Sequence, residues 1–193
     1  MSRIFLDNIA KHITLNDEDR KLLLSVMHPK QLKRKQVLCQ ENEVSRYSAF
    51  VLSGCLRSYF IDANGFEHNL QFAIEDWWIT DMMSFTTGKP GRLNIETLED
   101  SEVLLITRED QLGLFEKCPK FEKYFRIITE NGIVATQNRL LDNMSLPAME
   151  RYLRFSAKYP ALLKRLPQVQ IAAYLGITPE FLSKLRHQLA KGV

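Results

Sequence analysis

The spacing of apolar residues changes period along the chain, and the changes mark out its elements. From Asp17 to Met27 acids fill a first turn behind a cap at Asn16 or Asp17. Leu22, Leu23, Leu24 and Met27 then supply one apolar face, which predicts a helix. From Gln31 to about Thr107 the texture becomes that of short strands: QLKRKQVLC, YSAFVLSGCLRSYFI, HNLQFAI, NIETLED and SEVLLIT. Turn signals separate them at Glu41-Asn42-Glu43, Ser53-Gly54, Asp62-Ala63-Asn64-Gly65 and Gly88-Lys89-Pro90-Gly91. Closely spaced short strands predict an antiparallel roll or barrel rather than βαβ units. Asn64-Gly65 is the sharpest hairpin signal, because both residues tolerate the positive φ of a tight turn.

Past Thr107 the period returns to that of helix. REDQLGLFEK predicts a short helix, and Pro119 to about Asn143 a long one. The long helix carries two apolar stripes, one of Phe121, Phe125, Ile128, Gly132 and Ala135, the other of Tyr124, Ile127, Val134 and Leu141. Two stripes suit a helix between its own domain and a second surface. Gly132 costs about 1 kcal/mol there relative to Ala, which close approach of another helix would offset; packing on its own domain with some slack is the alternative. Ser145-Leu146-Pro147 then reads as a new start, with Ser145 as cap, before AMERYLRFSAKY and ALLKRL. The domain boundary is expected near Asn143, giving a 1–143 sensor domain and a 144–193 domain joined by helix rather than by a Gly- or Ser-rich linker.

The last segment, QIAAYLGITPEFLSKLRHQLAK, breaks a helical pattern in its middle. Pro167 opens a helix lined by Ile171, Ala172 and Leu175, and Gly176 ends it because the corner needs left-handed backbone without Cβ strain. Thr178 caps the next helix, Pro179 fits its first position and Glu180 favours its dipole. Phe181, Leu182, Leu185 and Leu189 are predicted to face inward; Glu180, Ser183, Lys184, His187 and Lys191 lie opposite. This is helix-turn-helix spacing, and the outward side is suited to base edges: Lys donates to guanine, Glu accepts from cytosine, Ser does either. The candidate DNA-binding residues are Thr178, Glu180, Ser183, Lys184, His187, Gln168, Gln170 and Lys191.

Charge supports that reading once divided along the chain. Overall it is +3, but from Leu146 onward eight Lys or Arg stand against two acids, leaving the remainder at −3. A basic tail suits a polyanion, since phosphate neutralisation is the sequence-independent part of DNA affinity. An acidic protein partner fits charge alone equally well. Cys39, Cys55 and Cys118 are scattered and odd in number, so neither a disulfide framework nor a metal site is expected. The histidines His12, His28, His68 and His187 are isolated and no catalytic motif appears, so no enzyme is expected. Without a signal peptide or an apolar run of membrane length, a cytoplasmic protein with no membrane partner is expected.

The order of parts, with FVLSGCLRSYFIDANGFEHNLQF in the roll and QIAAYLGITPEFLSKLR in the tail, resembles the Crp/Fnr family of bacterial transcription regulators. The matching positions are Val51, Leu52, Gly54, Asp62 and Gly65, then Ile171, Leu175, Gly176, Thr178, Glu180 and Lys184. The resemblance implies an α+β fold: a cyclic-nucleotide-binding-like roll, a long dimer helix (about 120–143) and a helix-turn-helix domain whose reading helix spans about 178–190. It implies a homodimer on a pseudo-palindromic duplex, with RNA polymerase and an unidentified small-molecule effector as further partners. It also implies a wing beyond the reading helix, for which little chain follows. Nucleotide-binding members use a Gly-Glu pair and a later Arg-Ser or Arg-Thr, where Arg and backbone amides hold the cyclic phosphate. Here Glu75 lacks a preceding Gly and Arg92 precedes Leu93, so no cyclic AMP binding and no cofactor are expected. The effector pocket is placed at Glu75, Trp77, Trp78, Arg92 and Asn94, with the two Trp rings available for a planar ligand. The clustered cysteines of the iron-sulfur branch are absent. A ligand-sensing module whose partner is a protein rather than DNA is the alternative function.

Overall fold

The computed structural model describes residues 3–191. Two helices come first, α1 (Arg3–Ala10) and α2 (Asp17–Ser25). The strands are β1 (His28–Leu32), β2 (Val37–Cys39), β3 (Tyr47–Ser53), β4 (Leu56–Ile61), β5 (Glu67–Ala73), β6 (Trp78–Ile79), β7 (Asn94–Thr97) and β8 (Ser101–Thr107), with α3 (Met82–Thr87) between β6 and β7. Helices α4 (Arg108–Lys117), α5 (Lys120–Ser145), α6 (Ala148–Lys158), α7 (Pro160–Arg165), α8 (Gln168–Leu175) and α9 (Pro179–Lys191) follow. The strands form two four-stranded sheets, ordered β1-β8-β3-β6 and β2-β7-β4-β5. The α+β roll is therefore observed.

By compactness the chain divides into one unit of Met1–Phe60 with Leu70–Glu130 and a second of Ile61–Asn69 with Asn131–Val193. In the first unit, burial on both faces of β3 and β8 explains their nearly unbroken apolar runs. Ala49, Val51, Val103 and Leu105 face one cluster with Leu32, Leu56, Ile79 and Ile95. Phe50, Leu104 and Ile106 alternate to the other face, where α1, α2, α4 and the first turns of α5 bring Phe5, Ile9, Leu23, Leu114, Phe121 and Tyr124. Alternation of side chains along a strand makes the two clusters separate.

Some expectations change. QLKRKQVLC does not form one strand: Lys35 takes φ 65 and splits it into β1 and β2. Helix α1 and β6 were not anticipated; α1 does carry an apolar face, with Phe5 and Ile9 one turn apart and both fully buried. Ser145 is not a cap. Helix α5 runs through it, its hydroxyl donates back to the Leu141 carbonyl at 2.7 Å, and α6 starts after Pro147 without a side-chain cap. The cap of α2 holds, Asn16 and Asp19 forming a reciprocal capping box.

In the second unit the hairpin turns at Asn64-Gly65 as expected, but only Gly65 takes positive φ, at 84, and Asn64 does not. Asp62 and Phe66 close it at 2.9 Å, and the Asp62 carboxylate accepts from the amides of Asn64 and Phe66. The helical part of this unit is built on Tyr152, Phe155, Leu162, Leu166, Ile171, Ala172, Leu175, Leu182 and Leu185, all buried.

Candidate nucleic-acid interface

Helix α8 ends where the sequence says it must. Gly176 sits at φ 66, ψ 37, its amide and that of Ile177 both donating to the Ala172 carbonyl, so α8 stops there and a three-residue corner leads to α9. Thr178 restarts it: the hydroxyl accepts from the Phe181 amide at 3.2 Å and the carbonyl from Leu182 at 3.0 Å. Leu182 at 0% and Leu185 at 5% exposure then pin α9, and Ala172 at 0% allows the close approach of α8.

The opposite side of α9 is open. Thr178, Glu180, Ser183, Lys184, His187 and Lys191 are exposed, as is Gln168 at the start of α8. Arg186 is exposed as well and was absent from the predicted set; its charge was legible, but helical spacing alone put it at the flank. Phe181 and Leu189, expected inward, remain 45% and 37% exposed. The apolar stripe is wider than the surface α8 and its neighbours offer, so only its centre is covered.

Gln170 has a different environment from the other seven. It is half-buried, and Asn69 of the hairpin, 1% exposed, donates to its carbonyl and to its side-chain oxygen, each at 2.9 Å. Arg139 on α5 joins the same cluster, Nη2 donating to the carbonyls of Asn69 at 2.7 Å and Tyr174 at 2.6 Å. Burial draws the Arg139 guanidinium below its ordinary pKa and pushes the Tyr174 phenol up. Arg139 was not singled out from the sequence, although it continues the row of Phe121, Phe125, Ile128, Gly132 and Ala135 one step further along α5.

The five residues placed in an effector pocket belong to the first unit. Trp77 packs on the cluster between the sheets and Trp78 on the helix side, so the adjacent rings take opposite faces of the chain. The Trp78 indole donates to the Tyr124 hydroxyl at 2.9 Å, and that hydroxyl to Asn8 Oδ1 at 2.6 Å. Burial pushes the Tyr124 phenol far above its ordinary value. Glu75 accepts from the Gly54 amide, and Asn94 from that of Glu41. Arg92 is exposed, and its amide donates to a residue the sequence did not single out. That residue is Asp81, 3% exposed, whose carboxylate accepts from the amides of Ser84, Arg92 and Leu93. A Cβ at Gly91 would collide with this carboxylate, which accounts for the glycine.

Among the described residues no helix is long and apolar enough to cross a membrane, and no cluster of His, Cys, Asp or Glu is arranged to hold a metal ion. Residues 29–118 match the family described as "Cyclic nucleotide-binding domain". The chain is 28% identical over 192 residues to "Probable transcriptional regulator flp" of Lacticaseibacillus casei, covering 92% of this chain and 83% of that one. Among solved structures, FixK2 from Bradyrhizobium japonicum superposes with a TM-score of 0.72 at 20% identity, over 86% of each chain. A Crp/Fnr family regulator from Eubacterium rectale superposes with a TM-score of 0.72 at 18% identity, over 92% of this chain and 85% of that one. The fold is that of these regulators, so the fold that the resemblance implied is borne out.

Proposed function

We propose that this chain, a Crp/Fnr-like protein by fold and by its cyclic-nucleotide-binding-type domain, is a transcription regulator that binds a pseudo-palindromic DNA site as a homodimer. The observation that carries the reading is the division of α9: Leu182 and Leu185 are buried while Glu180, Ser183, Lys184 and His187 stand exposed behind a three-residue turn. A helix held by its inner side and free on its outer side can enter a major groove, where Lys184 addresses guanine and Glu180 cytosine. Residues 144–193 form the DNA-binding part, and Arg186 adds a phosphate contact at its flank.

The second copy binds along α5. Its later turns leave Ile133, Val134, Leu140, Leu141 and Met144 between 52% and 78% exposed, an apolar surface that a twofold partner helix would cover. A Cβ at Gly132 would meet nothing within 4 Å beyond its own helix backbone, which leaves that face open to an approach from another chain.

The roll does not take cyclic AMP. In the family pattern backbone amides near Arg92 help hold the cyclic phosphate, whereas here the Asp81 carboxylate occupies the amides of Arg92 and Leu93. A phosphate brought there would meet a negative charge of the protein's own. Any other effector acts only through unequal affinity for the two arrangements of the dimer.

Selection of bound duplexes from a random pool, using the full chain, tests the function. Enrichment of an inverted repeat is expected. Lys184→Ala should then lower affinity by about 1–3 kcal/mol and relax preference at one position per half-site. Absence of enrichment at both low and physiological salt would overturn the reading.

A further inference from the structure

Phe181 is neither packed inside nor polar, and it sits where α9 would first meet DNA. It stays 45% exposed although Leu182, the next residue, is fully buried. Its backbone is not loose, because its amide is held by the Thr178 hydroxyl at 3.2 Å. At about 100° per residue, Phe181, Lys184 and Gln188 form one row at i, i+3 and i+7 along the exposed flank of the helix. Lys184 and Gln188 are exposed in the same row.

A single exposed apolar side chain on a protein surface needs no explanation. Its position in the first turn of a reading helix is what carries meaning, because the N-terminal residues of such a helix reach base edges. Each base edge in the major groove presents donors and acceptors, and only thymine adds an apolar group, its C5-methyl. We propose that Phe181 is a specificity-determining residue that packs on a thymine C5-methyl beside the base addressed by Lys184. The proposal rests on the DNA-binding reading above. It adds an apolar element to a code otherwise made of charge and hydrogen bonds.

The test removes one methyl at a time from the DNA. In the half-site selected by the full chain, each thymine is replaced in turn by deoxyuridine, and affinity is measured by fluorescence anisotropy for the parent protein, Phe181→Leu and Phe181→Ser. For the parent, one substitution adjacent to the Lys184-dependent position should weaken binding about fourfold, the weight of one buried methyl. Phe181→Leu should keep part of that loss, and Phe181→Ser should bind the thymine and deoxyuridine sites equally. Thermal unfolding of the variants checks that the fold is kept, as expected for an exposed position. If the parent selects a site but no deoxyuridine effect depends on residue 181, the Phe181 proposal falls and the DNA reading stands. If the parent selects no site, both fall.

Discussion

The Arg139 guanidinium lies 3.8 Å over the ring of Tyr174 while its Nη2 donates to the carbonyl of the same residue at 2.6 Å. One side chain of α5 thus grips α8 by both ring and backbone, and through the Asn69 carbonyl it also holds the hairpin. Arg139→Ala leaves two carbonyls without this donor and removes the stacking. It should cost about 2–4 kcal/mol, read as a lower midpoint in urea. Arg139→Lys should recover little, because an ammonium cannot stack flat and donate sideways at once. Full recovery by Lys would mean that charge alone matters there.

Gly176 offers a cleaner test of the corner. A Cβ there meets nothing within 4 Å, so Gly176→Ala suffers only the backbone penalty of the left-handed region. The expected loss is about 1–2 kcal/mol, with Gly176→Asn losing less. Thermal unfolding measures it, and an alanine variant as stable as the parent would contradict the observed turn.

Dimerisation along α5 predicts a large effect from one exposed position. Leu140 is 57% exposed, and Leu140→Glu should therefore barely disturb the isolated fold. In a twofold interface the change occurs twice, costing about 3 kcal/mol or more, on the order of 100-fold in dimer dissociation. Light scattering on eluting protein should show dimer for the parent and monomer for the variant. A variant that remains dimeric would place the interface elsewhere.

Asp19 should make the first unit sensitive to acid. The hydrogen bond from Lys120 and that from the Asn16 amide hold its carboxyl below the ordinary carboxylate value. A pKa depressed in the folded state contributes stability that is complete above the unfolded value of about 3.9 and is lost as pH falls through the folded one. Asp19→Asn should lower the melting temperature at neutral pH, and the gap to the parent should close progressively below about pH 4. A gap of constant size down to pH 3 would contradict this.

Much of the fold was legible because it depends on local pattern. The capping box of α2, the Asn64-Gly65 hairpin, and the Gly176 corner with its Thr178 restart are each set within a few residues, where backbone preference and nearby side chains suffice. The Ser145 cap failed for the complementary reason. Its cap chemistry was correct, but α5 had no cause to stop before Ser145 and the hydroxyl turned back to Leu141.

By itself, the sequence determined the kinds of element, their order, the helix-turn-helix corner and the basic bias of the tail, because period and turn chemistry act over a single turn or strand. Only the tertiary structure decided which parts of those apolar stripes are covered. Leu182 and Leu185 are, and Phe181 and Leu189 are not, because coverage depends on the width of the opposing surface. It alone placed Gln170 against Asn69, separated Trp77 from Trp78, and closed the Asp81 carboxylate on the amides of Arg92 and Leu93. Those arrangements depend on which distant segments meet, and hydrogen bonds between distant residues leave no period in the chain.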